Sequence, residues 1–167
     1  MLSGAVEQTA DGVFVTDAGG VILYANPACE RQTGFPLAEV LGRTPRIFKS
    51  GVHDLAFYRR LWNTIEAGET FRSVLVNRRK DGRQYHAEKA ISPVYGPGGT
   101  ITHFVSVERD ITERMQVEEA LLRSERTYRD LVEQATYGIY QSRIDGGFLT
   151  VNRALAEMLG YASAEEL

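Results

Sequence analysis

Two short runs rich in β-branched and aromatic residues, 13–16 and 21–24, flank Ala18-Gly19-Gly20 and predict a β-hairpin. Asn26-Pro27 reads as a helix start, with the Asn side chain capping and Pro at the first helical position; Gly34 reads as its left-handed end. A further turn of helix over 37–41 stops at Gly42. Tyr58, Leu61, Trp62 and Ile65 follow the helical period and stop before Gly68, which predicts an amphipathic helix over 54–67. Strand patterning returns over 71–79 and 83–94, joined at Lys80-Asp81-Gly82, and over 101–109 after Gly96-Pro97-Gly98-Gly99. Two strands, small helices, one longer helix and three strands make an α+β domain with a five-stranded antiparallel sheet.

From Asp110 the period changes to that of a helix. Asp110 and Glu113 have the spacing of a capping pair, and Glu119/Arg123 and Glu125/Arg129 that of helical ion pairs with the acid first. Val117, Leu121, Ser124, Tyr128, Leu131 and Ala135 form a heptad-like stripe, weakened by the serine in its seam. Two readings fit this stripe: a plain surface helix and a dimerising signalling helix.

The chain also repeats itself. Residues 6–41 align without a gap on residues 132–167, with twelve of thirty-six pairs identical, among them Glu7/Glu133, Gly12/Gly138, Asn26/Asn152 and Gly34/Gly160. The first copy runs on through three more predicted strands, whereas the second ends at the counterpart of Leu41. The chain therefore reads as part of a longer tandem array, whose second copy is too short to bury a core of its own. Residues 1–111 are expected to form one domain, 112–130 a helical linker and 131–167 the truncated start of a second domain.

Composition narrows the classes. An apolar fraction of 43% with 25% charged residues is that of a globular chain, and a net charge of -3 gives no basic footprint for nucleic acid. The single cysteine, Cys29, excludes an internal disulfide and suits a reducing, cytoplasmic setting. No apolar run is long enough to span a membrane, and the N-terminus lacks the regions of a signal peptide. No metal-ligand cluster, nucleophile with a base, or phosphate loop stands out, so no enzyme is expected.

The segments DGVFVTDAGGVILYANPACERQTGF, LGRTPRIFKSG, NRRKDG and the closing ERDITER resemble the PAS family of sensory modules, found in histidine kinases, cyclic-dinucleotide enzymes and transcription regulators. The resemblance implies a sheet of strand order 2-1-5-4-3, with helices forming one wall of an internal pocket. It also implies a junction at Asp110, Ile111 and Thr112 between the sensor and an output helix. In the light-sensing branch a flavin bonds to a cysteine whose position falls on Pro45 here, so no photoadduct is expected. The stretch around Leu61-Trp62 and 74–81 is closer to redox-sensing members that hold FAD non-covalently. There an Asn matching Asn77 bonds the flavin ring; a second Asn position falls on Ala87 and a Gln position on Glu108.

Strand alternation, taken with that pocket, puts Ser73 and Asn77, Ala87 and Lys89, and Ser106 and Glu108 on inward faces. Polar groups there need partners, which a ligand with ring amides, water or neighbouring backbone supplies. The opposing readings are that Asn77 serves the adjacent turn and Glu108 faces solvent. Trp62 is read as core packing or a flavin neighbour, Cys29 as an inert buried thiol, and His53 as an exposed loop residue. The outer face, with Val74, Val76, Ala90, Ile101, Val105 and Val107, needs a cover: the segment 2–9 or a second subunit. Two functions remain open. One is a small-molecule sensor, FAD first, relaying to a kinase or cyclase output domain, as a parallel homodimer. The other is a cofactor-free module for dimerisation and relay.

Overall fold

Asp17 closes the first hairpin from both sides of the turn. Its carboxylate accepts the Val21 N–H at 2.8 Å, and its backbone bonds Val21 and Gly20. The computed structural model, which describes residues 2–166, places β1 at Gly12–Asp17 and β2 at Ile22–Ala25. Before them lies α1 (Leu2–Gln8), a helix the sequence pattern did not announce. Asn26 caps α2 (Pro27–Thr33) by accepting the Cys29 N–H, and Gly34 ends it at φ 72°. Then come α3 (Leu37–Val40), a 3-10 turn at Pro45–Phe48, and α4 (Leu55–Glu66), which Asp54 caps through the Phe57 N–H at 2.8 Å.

β3 (Phe71–Arg78), β4 (Gln84–Tyr95) and β5 (Ile101–Asp110) complete an antiparallel sheet of order β2-β1-β5-β4-β3. The strand order is the one that the family resemblance implies. β5 therefore joins the N-terminal hairpin to β4, pairing Phe14 with Ser106 on one edge and Ile91 with Ser106 on the other. Two apolar clusters pack on the inner face: Phe14, Ile22, Ala25, Cys29, Val40 and Phe48, and then Leu61, Ile65, Phe71, Leu75 and Phe104. At roughly 1.5–3 kcal/mol for each large buried side chain, these clusters supply most of the driving force for folding.

Helix α5 (Thr112–Gln134) follows, and the chain divides at its first turn into Met1–Glu113 and Arg114–Leu167. In the second unit β6 (Tyr140–Ser142) pairs with β7 (Phe148–Val151), and Asn152 caps α6 (Arg153–Met158). Two local expectations fail. Asp110 accepts the Thr112 N–H at 3.0 Å, but its own backbone lies in the β4–β5 ladder, and Glu113 makes no reciprocal bond among the described residues. Neither Glu119/Arg123 nor Glu125/Arg129 forms an ion pair there; on an exposed helix the entropy of two long side chains outweighs so weak an attraction. Of the two covers expected for the outer sheet face, the segment 2–9 or a second subunit, the N-terminal helix does not supply one. α1 is tied to the β2–α2 corner, where Tyr24 donates to Glu7 at 2.6 Å and Asn26 to the Val6 carbonyl, leaving Val74 and Val107 exposed.

Candidate functional site

A cavity of about 480 Å³ opens between the inner face of the sheet and α4. Its apolar wall is Phe14, Leu61, Trp62, Ile65, Leu75, Ile91 and Phe104, which share the inner face of the sheet or the buried stripe of α4. Trp62 stands edge-to-face on Phe104, with centroids 6.1 Å apart. The hairpin turn comes so close that a Cβ at Gly20 would lie 2.9 Å from the Trp62 ring, and Gly20 also has φ 86°, so only glycine fits there. Polar lining comes from Thr16, Asn77, Lys89 and Ser106; Arg46, Lys49 and Arg59 also line it.

The buried polar side chains form a chain of contacts. Lys89 and Glu108 face each other across β4 and β5, with Nζ 2.6 Å from Oε2 and both side chains withdrawn from solvent. That ammonium is the partner of Glu108 Oε2, which accepts no hydrogen bond from any other described residue, while Oε1 accepts the Tyr85 hydroxyl at 3.1 Å. Tyr85 in turn receives a long bond of 3.4 Å from Asn77 Nδ2. Burial, then the Glu108 charge, hold the Tyr85 phenol far above its ordinary range. Gly12 makes room for this arrangement: a Cβ there would meet Gln32 at 2.8 Å and Glu108 at 3.1 Å. Ser106 Oγ is buried on the cavity wall with no hydrogen-bond partner among the described residues.

The chain continues to the end of the sheet. The Arg79 guanidinium lies 4.5 Å above the Tyr85 ring and pairs with Asp110. Asp110 accepts the first N–H of α5, Ile111 bonds the His86 carbonyl at 2.9 Å, and the Thr112 hydroxyl accepts the His86 N–H at 2.9 Å. Burial pushes the Asp110 carboxyl up, but its bonds to Thr112 and the Arg79 charge outweigh that and hold it below the ordinary range.

Of the residues singled out from sequence, Asn77, Ser106 and Trp62 line the cavity. Glu108 is inside, not in solvent, but it stands behind Lys89 and outside the lining. Ala87 is fully buried and does not line the cavity, and Ser73 is half-buried with its hydroxyl 3.5 Å from the Val74 carbonyl. Asp110, Ile111 and Thr112 come together at the start of α5. His53 is not an exposed loop residue: Nε2 accepts the Val76 N–H at 2.8 Å and the ring stacks on Phe57 at 4.2 Å, closing the free edge of β3. Burial pushes the Cys29 thiol up to about 12, with Glu108 adding to it, so the thiolate is scarce. Among the described residues no cluster of metal-ligating side chains forms, and no helix is long and apolar enough to cross a membrane.

Arg46, Lys49, Arg59 and the Lys89–Glu108 pairing were not anticipated. The first two reach the cavity through the 3-10 turn, whose Lys49 bridges to Asn77 on β3. The one available signal was a lysine at an inward strand position of β4, which needs a buried counter-charge.

The nitrogen fixation regulatory protein of Klebsiella oxytoca is 37% identical over 116 residues, covering 70% of this chain and 23% of that protein. A blue-light-activated histidine kinase of Brucella canis is 27% identical over 175 residues, covering 96% of this chain and 36% of that one. The chain thus spans well under half the length of these curated relatives. An RNA-binding light-oxygen-voltage receptor superposes with a TM-score of 0.64 at 30% identity, over 76% of this chain and 37% of that one. The family model described as the PAS fold matches residues 1–111, and one described as a PAS domain matches residues 126–167. A sheet of order β2-β1-β5-β4-β3 around an inner cavity, and a family match over more than half the sequence, agree: the chain belongs to the PAS family.

Proposed function

We propose that residues 1–111 bind a flavin, FAD ahead of other small molecules, and pass its redox or occupancy state through the helix that opens at Thr112. The helical linker 112–130 then leads into a second module starting at 131, and beyond it to an output domain such as a histidine kinase. The observation that carries this reading is the cavity: about 480 Å³, within the roughly 300–1,000 Å³ range of ligand pockets, apolar and aromatic, with Asn77 and the unpartnered Ser106 hydroxyl on its wall. A flavin ring suits it, with Asn77 and Ser106 on its polar edge and Trp62 beside it. The phosphates of FAD suit Arg46, Lys49 and Arg59. When bound, the flavin supplies a ring whose charge and hydrogen bonding change with its redox state.

The likeness to a light-oxygen-voltage domain solved in work on a flavin analogue supports a flavin, and the likeness to a histidine kinase supports that output. Photoadduct chemistry is not part of the proposal, since Pro45 lines the cavity and Cys29 does not. A parallel homodimer accounts for the exposed Val117, Leu121 and Leu131 of α5 and for the open outer face of the sheet.

A cofactor-free module for dimerisation and relay is the second reading. It is favoured by the way Lys89, Glu108, Tyr85 and Asn77 satisfy one another without a ligand. Absorption separates the two. Purified protein carrying FAD absorbs in the blue, bleaches with dithionite, and shows no lasting change on illumination. Folded protein that is colourless and takes up no added FAD leaves the cofactor-free reading.

A further inference from the structure

Resting on the flavin reading, we infer that Lys89 is the charge-sensing group of the cavity: its ammonium stabilises the negative charge that reduction leaves on the ring. Lys89 lies in the middle of β4 at a position otherwise suited to a core residue, and its side chain is 5% exposed. A charge so placed is costly unless paired, and Glu108 on β5 pairs it at 2.6 Å. The two ends of the pair are not equivalent. Lys89 lines the cavity and Glu108 does not, so a ligand meets the positive end.

The pair is also held in place before any ligand arrives. The Tyr85 hydroxyl fixes Glu108 Oε1, Gly12 leaves space for the carboxylate, and the Phe14 ring lies 4.8 Å from the Lys89 ammonium. Fixed charges in a site shut off from water stabilise developing charge without reorganising. Ser106, next on the same face of β5 and 1% exposed, adds a hydroxyl donor with no partner among the described residues.

Reduction by two electrons and one proton leaves the ring with one negative charge. In the test dithionite gives the electrons and water the proton. A cation on the cavity wall favours that reduced form over the neutral oxidised one. Lys89 is therefore expected to set the reduction potential far more than the affinity for oxidised FAD.

The experiment compares the full wild-type chain with Lys89→Arg, Ser106→Ala and the double variant Lys89→Met/Glu108→Gln, each loaded with FAD. The double variant removes the charge without leaving Glu108 buried and alone, and a thermal melt reports its folding. Binding of oxidised FAD is read by flavin fluorescence and the potential by anaerobic titration. The double variant should lose at least about tenfold more affinity for the reduced than for the oxidised form, a fall of about 30 mV for a two-electron couple. Lys89→Arg should stay close to the wild-type potential, and Ser106→Ala should fall between. A double variant that binds FAD at the wild-type potential overturns the inference and leaves the flavin reading standing. Folded wild type that takes up no FAD overturns both, and does so before any substitution is made.

Discussion

Asn26 and Asn152 occupy equivalent places in the two copies of the repeat and bond the same backbone groups. Asn26 accepts the Val13 N–H at 2.9 Å and donates to the carbonyls of Val6 and Asp11. Asn152 accepts the Ile139 N–H at 2.8 Å and donates to the carbonyls of Val132 and Tyr137. Each also caps the helix that follows. What surrounds the two networks differs. Phe14 and Ile22 are 3% and 0% exposed in the first copy, while their counterparts Tyr140 and Phe148 are 57% and 43% exposed in the second. The first copy has β5 beside β1 and α4 over the sheet; the second has a two-stranded hairpin. Local hydrogen bonding is thus written within about twenty residues, whereas burial is supplied by strands far away in sequence.

Hydrogen exchange should show the widest contrast. The amides of Val13 and Ile139 make nearly the same bond, but Val13 sits in the folded core. Its exchange should require global opening, on the order of 5–15 kcal/mol. From Tyr137 onward protection should stay within about 1 kcal/mol of an unfolded chain, because a two-stranded hairpin is marginal by itself. Equal protection at Val13 and Ile139 in a dilute monomer would show that the second copy is stable without three further strands.

The same pair of asparagines allows a mutational version. Asn26→Ala should cost about 2–4 kcal/mol, since it removes a helix cap and strands buried backbone groups. Asn152→Ala should change the main transition by less than about 0.5 kcal/mol. Urea unfolding followed by fluorescence checks both, because the only tryptophan, Trp62, reports the first copy alone. Similar losses for the two variants would mean that both copies melt as one unit.

These contrasts also explain what could be read from sequence. The hairpin, the Asn26 cap, the α4 stripe and the three long strands carry local signatures and lie where those signatures put them. Alternation, taken with the pocket that the resemblance implies, placed Asn77, Ser106 and Glu108 inside, and all three are buried. It did not give the partner of Glu108, because partners depend on register across β4 and β5, and that register shifts at Val94/Tyr95. The basic residues Arg46 and Lys49 were missed because a 3-10 turn has no apolar period to announce it. His53 was misplaced for a related reason: it bonds a backbone N–H on β3, a long-range contact that a turn-like sequence hides.

A smaller loss than that of Asn26→Ala is expected at Asp110, where the first copy meets α5. Its carboxylate accepts the Thr112 N–H and pairs with Arg79, and its side chain is 22% exposed. Asp110→Ala should cost about 0.5–2 kcal/mol, as a lost cap does. The sign of its pH dependence follows from the lowered carboxyl. The group is more acidic folded than unfolded, so its contribution is present above about pH 4, the ordinary Asp value, and fades as pH falls through the folded one. Wild type and Asp110→Asn should therefore differ at pH 7 and converge in strong acid, as urea melts at several pH values would show. The domain has enough stability to survive the loss, so the variant should fold and keep its ligand. In a chimera with a kinase output, wild type should respond to redox state or ligand, while Asp110→Ala should stay at one level. The reason is mechanical: Arg79 touches Tyr85 on one side and Asp110 on the other, so removing the carboxylate cuts the only charged contact from that chain to the first turn of α5 among the described residues. A variant that responds at full amplitude would reduce Asp110 to a helix cap, and would put the transmission in the Thr112 and Ile111 bonds to His86.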